Sequence, residues 1–303
     1  MYDPQKTFKN TEEIRRFVRA CDEEFEKRLS LAVDAVRRTE GLKLIALSGP
    51  TCSGKTTLSK KLVSDFAEYG RTVHVISIDN FYYNREYLEE RSKKLGYDTV
   101  DYDSIDTIDF EELSECVSEV FTDDETLVPI YDFKSGKTVG FEHIAYTDGE
   151  IFIFEGIQAV YPEISALFKG HPHSSVMIRP TSSICYGDVC FEPDEIRLLR
   201  RLVRDYKFRA SSPEKTFDMW SGVRKNEEQN IFPYIESCNI KIDSTLPYEI
   251  NMLKPYLEKI LPLVDEKSEH YAKAQGILEK LRDIQGISDA YIGADSLYHE
   301  FVG

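Results

Sequence analysis

The run Gly49-Pro50-Thr51-Cys52-Ser53-Gly54-Lys55-Thr56-Thr57 carries the spacing G-x-x-x-x-G-K-[ST]. Each residue type in it suits phosphate. Glycines let the backbone wrap closely and turn N–H groups inward around an anion, and a helix start adds partial positive charge. Lys55 is long enough to reach the β- and γ-phosphates of a nucleoside triphosphate, and the Thr56 hydroxyl suits Mg²⁺. The expectation is a nucleoside-triphosphate site on residues 49–57 with Mg²⁺ as its cofactor. Cys52 reads as a small filler of the loop.

A triphosphate loop does not say what is done with the nucleotide. Asp79 stands just past a strand-like run, Thr72–Ile78. In open α/β sheets ligands gather beyond the carboxyl ends of strands. A carboxylate there can orient a hydroxyl and accept its proton during phosphoryl transfer, or it can simply cap the following segment. Glu155 ends the apolar run Ile151–Phe154 and offers either a ligand to Mg²⁺ or an acidic turn. Between residues 197 and 209 lie Arg197, Arg200, Arg201, Arg204, Lys207 and Arg209, with Asp205 the only acid. Helical spacing puts Arg197, Arg201 and Arg204 on one face. That face is either a clamp over a transferring phosphate or a solvated basic surface.

The elements that must hold these groups follow from periodicity. Leu42–Ser48, Thr72–Ile78, Leu127–Tyr131, Ile151–Phe154, Val176–Ile178 and Ile240–Ile242 read as strands. Residues 55–69, 109–121, 193–207, 213–230, 247–262 and 268–285 read as helices. Alternation of the two predicts βαβ units and a mostly parallel sheet. The fold class expected is α/β, a P-loop NTPase with three α/β/α layers. Residues 11–39 predict a further amphipathic helix, starting at Thr11 and ending at Gly41. Its apolar face could cover the main domain or meet a second subunit. The organisation expected is an N-terminal helical extension (1–40), a P-loop domain (41–262) with an arginine-rich lid at about 197–225, and a C-terminal helical appendage (263–303).

Composition bounds the rest. The chain has 303 residues, 38 basic against 54 acidic side chains and a formal charge of −16. An acidic balance argues against a general nucleic-acid binder, including a nucleic-acid-dependent NTPase. No apolar run approaches the roughly 20 residues of a membrane span, and MYDPQKTFKN has no apolar signal region. Six cysteines without a CxxC pair read as reduced thiols of a cytoplasmic protein. His171 and His173 around Pro172 read as a surface turn.

Taken in order, GPTCSGKTT, ISIDNFYY, YDSIDTID, PIYDF, IFIFEGI and IRLLRRLVRDYKFR resemble the uridine kinase and phosphoribulokinase family of P-loop kinases, over about Leu42 to Leu261. The segments FDMWSGVRKNEEQNIFPY and SLYHEFVG look closest to a bacterial uridine-kinase-like subgroup. The resemblance implies an ATP- and Mg²⁺-dependent kinase. It implies Asp79 as base toward a ribose 5′-hydroxyl, Tyr82 beside the nucleoside, Asp103 on ribose hydroxyls and Tyr131 in the base pocket. It implies Arg201 toward the nucleoside, and Arg204 and Arg209 with Lys55 on the phosphates. Two positions depart from the pattern. Gly136 stands where uridine–cytidine kinases carry a His that reads the pyrimidine, and Arg209-Ala210-Ser211 stands where they carry Arg-Gly-Arg. Uridine is the leading acceptor, with another nucleoside or a sugar phosphate next. A non-catalytic nucleotide-binding regulator is the rival from another class.

Overall fold

The structure is a computed structural model that describes residues 1–96, 100, 102 and 104–303. In chain order its regular elements begin with α1 (Thr11–Arg37), β1 (Leu44–Ser48), α2 (Lys55–Glu68), β2 (Val73–Ser77), α3 (Arg85–Lys94) and α4 (Phe110–Thr122). Then come β3 (Glu125–Asp132), β4 (Lys137–Ala145), β5 (Ile151–Glu155), α5 (Pro162–Phe168), β6 (His173–Arg179), β7 (Ile184–Tyr186) and β8 (Val189–Phe191). The chain closes with α6 (Pro193–Phe208), α7 (Pro213–Asn226), β9 (Ile240–Asp243), α8 (Glu249–Ile260), α9 (Tyr271–Leu281) and α10 (His299–Val302).

Five strands form one parallel sheet in the order β2-β5-β1-β6-β9. β1 lies at its centre and is buried along its whole length. Such strands need apolar side chains on both faces, which is why LIALS and IFIF carry no alternation of polar and apolar residues. Ile45 and Leu47 point into one core with α1, α2, α6, α8 and α9. Leu44 and Ala46 point into the other, with α4, α5 and one face of β3. These are the three α/β/α layers expected.

The ends of the chain join the first core. α1 is capped by Asn10, whose side chain accepts from Glu13 N (2.9 Å), one residue earlier than Thr11. It ends at Arg38 rather than Gly41. Its apolar stripe of Val18, Cys21, Phe25, Leu29, Val33 and Val36 packs inside the main body. Arg28 fixes it there by donating to the Asp243 and Thr245 carbonyls (2.8 and 3.1 Å). Leu297, Tyr298, Phe301 and Val302, near the other end, are buried in the same core.

Two hairpins lie outside the main sheet: β3–β4 and β7–β8. The second corrects the expectation of six reduced thiols. Its antiparallel register sets Cys185 opposite Cys190, Cα atoms 4.0 Å apart, and the two are joined by a disulfide. The other four cysteines are free and buried. The helix expected over 213–230 stops at Asn226 and continues as a wider π turn through Glu227–Ile231. Among the described residues, no helix is long and apolar enough to cross a membrane.

Candidate active site

The loop between β1 and α2 wraps as its composition demands. A methyl on Gly49 would come within 2.4 Å of the Ile178 carbonyl oxygen and 2.5 Å of Ser53 Oγ, so only glycine fits there. Gly54, at φ +104°, caps α2 in the left-handed region, and Cys52 also takes a positive φ of 58°. A non-glycine residue there costs of order 1–2 kcal/mol, which the loop's packing must offset. Ser53 Oγ is buried with no hydrogen-bond partner among the described residues. Lys55 folds back to donate to the Gly49 carbonyl (2.9 Å).

A cleft of about 880 Å³ opens over this loop. Pro50 to Thr56, Asp79, Tyr82, Glu155, Arg201, Arg204 and Arg209 all line it, and α7 supplies the facing wall through Met219, Gly222 and Val223. The sheet explains the convergence. β1, β2 and β5 run parallel and end side by side, with Ser77 in register with Glu155 and Leu47 with Glu155. The loop after β1, Asp79 after β2 and Glu155 at the end of β5 therefore share one edge.

Asp79 sits in the single turn Ile78–Phe81 after β2, and α3 is headed by Asn84 instead. Burial raises the Asp79 pKa. The Lys55 charge opposes that shift, as do hydrogen bonds from Tyr82 and Gln158 and the Arg209 charge. Gln158 was not among the residues singled out from the sequence. It is fully buried, and its Nε2 donates to the Tyr82 hydroxyl at 3.2 Å. That hydroxyl also stands 2.8 Å from the Tyr102 carbonyl, so its one proton is divided between two acceptors. Glu155 is raised as well, by burial first and then by Asp79 and Glu300, against the pull of Lys55. Crowded carboxylates beside the exposed Thr56 hydroxyl are oxygen donors of the kind a hard divalent cation takes.

The basic stripe divides into two sets. Arg197 and Arg200 are buried, and neither is among the residues lining the cleft. Arg197 makes a two-pronged pair with Glu227 and donates to the Thr51 carbonyl (3.2 Å). Arg200 makes another with Glu249 (2.6 and 2.9 Å) and donates to the Cys52 carbonyl (3.0 Å). These two brace the phosphate loop from behind. Arg201, Arg204 and Arg209 converge on Asp205 at 3.1, 2.7 and 3.6 Å and present their remaining donors to the cleft. Arg204 also reaches Thr51 Oγ1 (3.2 Å). Partial desolvation and then the neighbouring Arg204 charge lower the Arg209 pKa, although more than half of its side chain is open to solvent, and an anion in the cleft would relieve the crowding. The stripe is thus neither a single clamp nor a solvated face.

Tyr82 lines the cleft and forms an aromatic trio with Tyr131 and Phe133, which do not line it, with centroids 5.7, 5.1 and 6.3 Å apart. Tyr83 and Tyr87 pack on each other, 4.9 Å apart. Trp220 is buried beside the Arg197 guanidinium (5.3 Å). Asp103, expected on ribose hydroxyls, lies outside the described residues. Gly136 is at φ +69° in the β3–β4 turn, and Arg85 fills the space beside it. A methyl there would come within 2.7 Å of Arg85 Cβ and Nε. Arg85 Nη2 donates to the Phe133 carbonyl (2.7 Å).

A sequence profile described as the phosphoribulokinase / uridine kinase family matches residues 44–249. The uridine kinase of Ureaplasma urealyticum serovar 10 is 24% identical over 200 residues, covering 66% of this chain and 86% of that one. The uridine kinase of Clostridium novyi is 29% identical over 185 residues, covering 60% and 77%. Among solved structures, a chain named for a fructose transport system kinase of Silicibacter sp. TM1040 shares the fold. Its TM-score is 0.50 at 19% identity, over 71% of this chain and 97% of that one.

Proposed function

The chain belongs to the phosphoribulokinase / uridine kinase family, enzymes that transfer phosphoryl groups to hydroxyl acceptors, and we propose that it moves the γ-phosphoryl group of ATP onto the 5′-hydroxyl of uridine or a related nucleoside. One observation carries this reading: Lys55 and Asp79 line the same cleft, together with the phosphate loop and Tyr82.

In this reading the loop at 49–57 and Lys55 hold the triphosphate, and Ser53 Oγ finds its partner there. Thr56 and Glu155 would hold Mg²⁺, which would supply neutralisation of phosphate charge. Asp79 accepts the proton of the acceptor hydroxyl as its oxygen bonds to the γ-phosphorus. The bridging oxygen leaves with its electron pair as ADP. Lys55, Arg204 and Arg209 offset the negative charge that develops on the transferred group. Gln158 and Tyr82 hold the Asp79 carboxylate in place. Tyr82 and Arg201 contact the acceptor, as would Asp103, and Tyr131 packs against the Tyr82 ring. The wall that α7 sets on the cleft, through Met219, Gly222 and Val223, would exclude water as a competing acceptor.

Tyr82 brings an aromatic ring to the cleft against which a base can pack, which favours a nucleoside over a sugar phosphate. The pyrimidine-reading position is Gly136 with Arg85 against it, and Arg85 spends a donor on the Phe133 carbonyl. Discrimination among nucleosides would then be weaker than in a site that keeps such donors for the base. The test is a phosphoryl-acceptor screen with labelled ATP across pyrimidine and purine nucleosides and pentose phosphates. Phosphorylation of uridine, or of a purine nucleoside, supports the proposal. Transfer confined to a pentose phosphate overturns the nucleoside part of it, and ATP binding without any acceptor overturns the whole.

A further inference from the structure

Thr57 is the third residue of α2, so its backbone N–H has no acceptor within the helix. It is not left open. Glu300 Oε1 accepts from Thr57 N at 2.6 Å and from Thr57 Oγ1 at 2.5 Å. A carboxylate 243 residues away in sequence thus sits on a helix start that carries partial positive charge and belongs to the phosphate loop.

Glu300 is held there by its neighbours. Leu297, Tyr298, Phe301 and Val302 are buried. The Arg200 guanidinium lies 4.7 Å over the Phe301 ring, and Lys207 donates to the Val302 carbonyl. The segment packs on the loop itself, because a methyl on Gly54 would come within 2.7 Å of Leu297 Cδ1. Glu300 and Phe301 both face the cleft that holds Lys55 and Asp79. The same Arg200 that bonds the Cys52 carbonyl from behind therefore also seats this segment.

We propose that Glu300 is an internal substitute for a nucleotide phosphate, bonded to Thr57 in the free protein and displaced whenever a nucleotide binds, so that it sets nucleotide affinity. The inference rests on residues 49–57 being the triphosphate site. Two anions cannot share the Thr57 donors without strong repulsion at such short range. The four buried side chains keep the backbone docked, so displacement needs only a change of Glu300 rotamer. Affinity for triphosphate is lowered by the cost of that exchange. Affinity for an uncharged ligand is not.

The test is calorimetric binding of Mg-ATP, inorganic tripolyphosphate and adenosine to the full chain, to Glu300→Gln and to Glu300→Ala. Gln keeps the shape without the charge, and Ala removes the carboxylate and every side-chain bond to Thr57. Both variants should bind ATP and tripolyphosphate about tenfold more tightly, the size expected for removing a competing charge at a helix start. Adenosine affinity should not move. If the wild type binds ATP and the variants bind it equally or more weakly, this proposal falls while the triphosphate site stands. If no form binds ATP, the reading of residues 49–57 falls and this proposal with it.

Discussion

Gln158 donates its side-chain amide to the Tyr82 hydroxyl across 3.2 Å, and both side chains bond the Asp79 carboxylate. Burial alone pushes the Asp79 pKa up by disfavouring its ionised form. These bonds favour its ionised form and pull the pKa part of the way back. The acid limb of the rate profile should therefore lie above the range of an ordinary aspartate, near 3.9. Removing a bond to the ionised form raises the pKa further. Gln158→Leu should move the acid limb of kcat/KM to higher pH and lower activity on its acid side by about tenfold. Activity recovers on the alkaline side. Leu removes the buried, unpartnered Oε1 of Gln158 but also its Nε2 bonds to Tyr82 and Asp79, so stability should fall by about 1–2 kcal/mol. A lower Tm with an unmoved pH profile would make Gln158 a packing residue only.

Asp79→Asn tests the base directly. The amide keeps the size of the side chain but cannot accept the acceptor's proton. Turnover should fall by about 10²–10⁴. ATP affinity should hold or improve, since a negative charge beside the triphosphate has gone. Stopped turnover with intact ATP binding is the expected pair of results. Retained turnover would remove Asp79 from the chemistry.

The arginines of α6 should divide by phenotype as they divide in space. Arg200 and Glu249 are both wholly buried and bonded at 2.6 and 2.9 Å. Arg200→Met leaves Glu249 buried without its partner, and stability should fall by about 3–5 kcal/mol in a denaturant titration. Arg209 is more than half exposed and only 3.6 Å from Asp205. Arg209→Ala should change stability by no more than about 0.5 kcal/mol. It should still slow phosphoryl transfer, because the charge it loses faces the cleft. Equal loss of stability in the two variants would contradict this division.

These cases mark where the sequence was readable. The phosphate loop, Asp79 and Glu155 could be found because each sits at a fixed offset from an apolar strand, and parallel strands end at one edge. Periodicity found β1, β2, β5 and β6 for the same reason. It missed α3, where Leu88 alone is buried and no apolar stripe exists. It missed β4, whose exposed face carries Val139 and Phe141 and so reverses the usual pattern. The roles of Arg200, Gln158 and Glu300 depend on partners 49, 76 and 243 residues away, which no local pattern reports. The Cys185–Cys190 bond follows from a hairpin register that five residues of spacing could not specify.

Gly136 offers the last test, because it separates absence of a side chain from absence of room for one. Its φ of +69° favours glycine, and its Cβ position is filled by Arg85, whose Cβ and Nε lie 2.7 Å away. The turn is further tied by Arg85 N donating to the Gly136 carbonyl (2.7 Å) and by Gly136 N donating to the Asp132 carbonyl (2.7 Å). Gly136→His therefore meets two costs. The left-handed backbone costs about 1–2 kcal/mol for any side chain, and displacing Arg85 breaks its bonds to the Phe133 and Lys134 carbonyls. In an Arg85→Gly background the second cost vanishes, because the Arg85 Cβ is itself one of the atoms in the way. A double-mutant cycle read by chemical denaturation should show Gly136→His less destabilising there, with a coupling of about 0.5–3 kcal/mol. Additive effects would mean that the two residues do not compete for the same space. The same pair of variants reports on the acceptor: Gly136→His should raise preference for pyrimidine nucleosides only where Arg85 has been cut back, because only then can the imidazole occupy the turn.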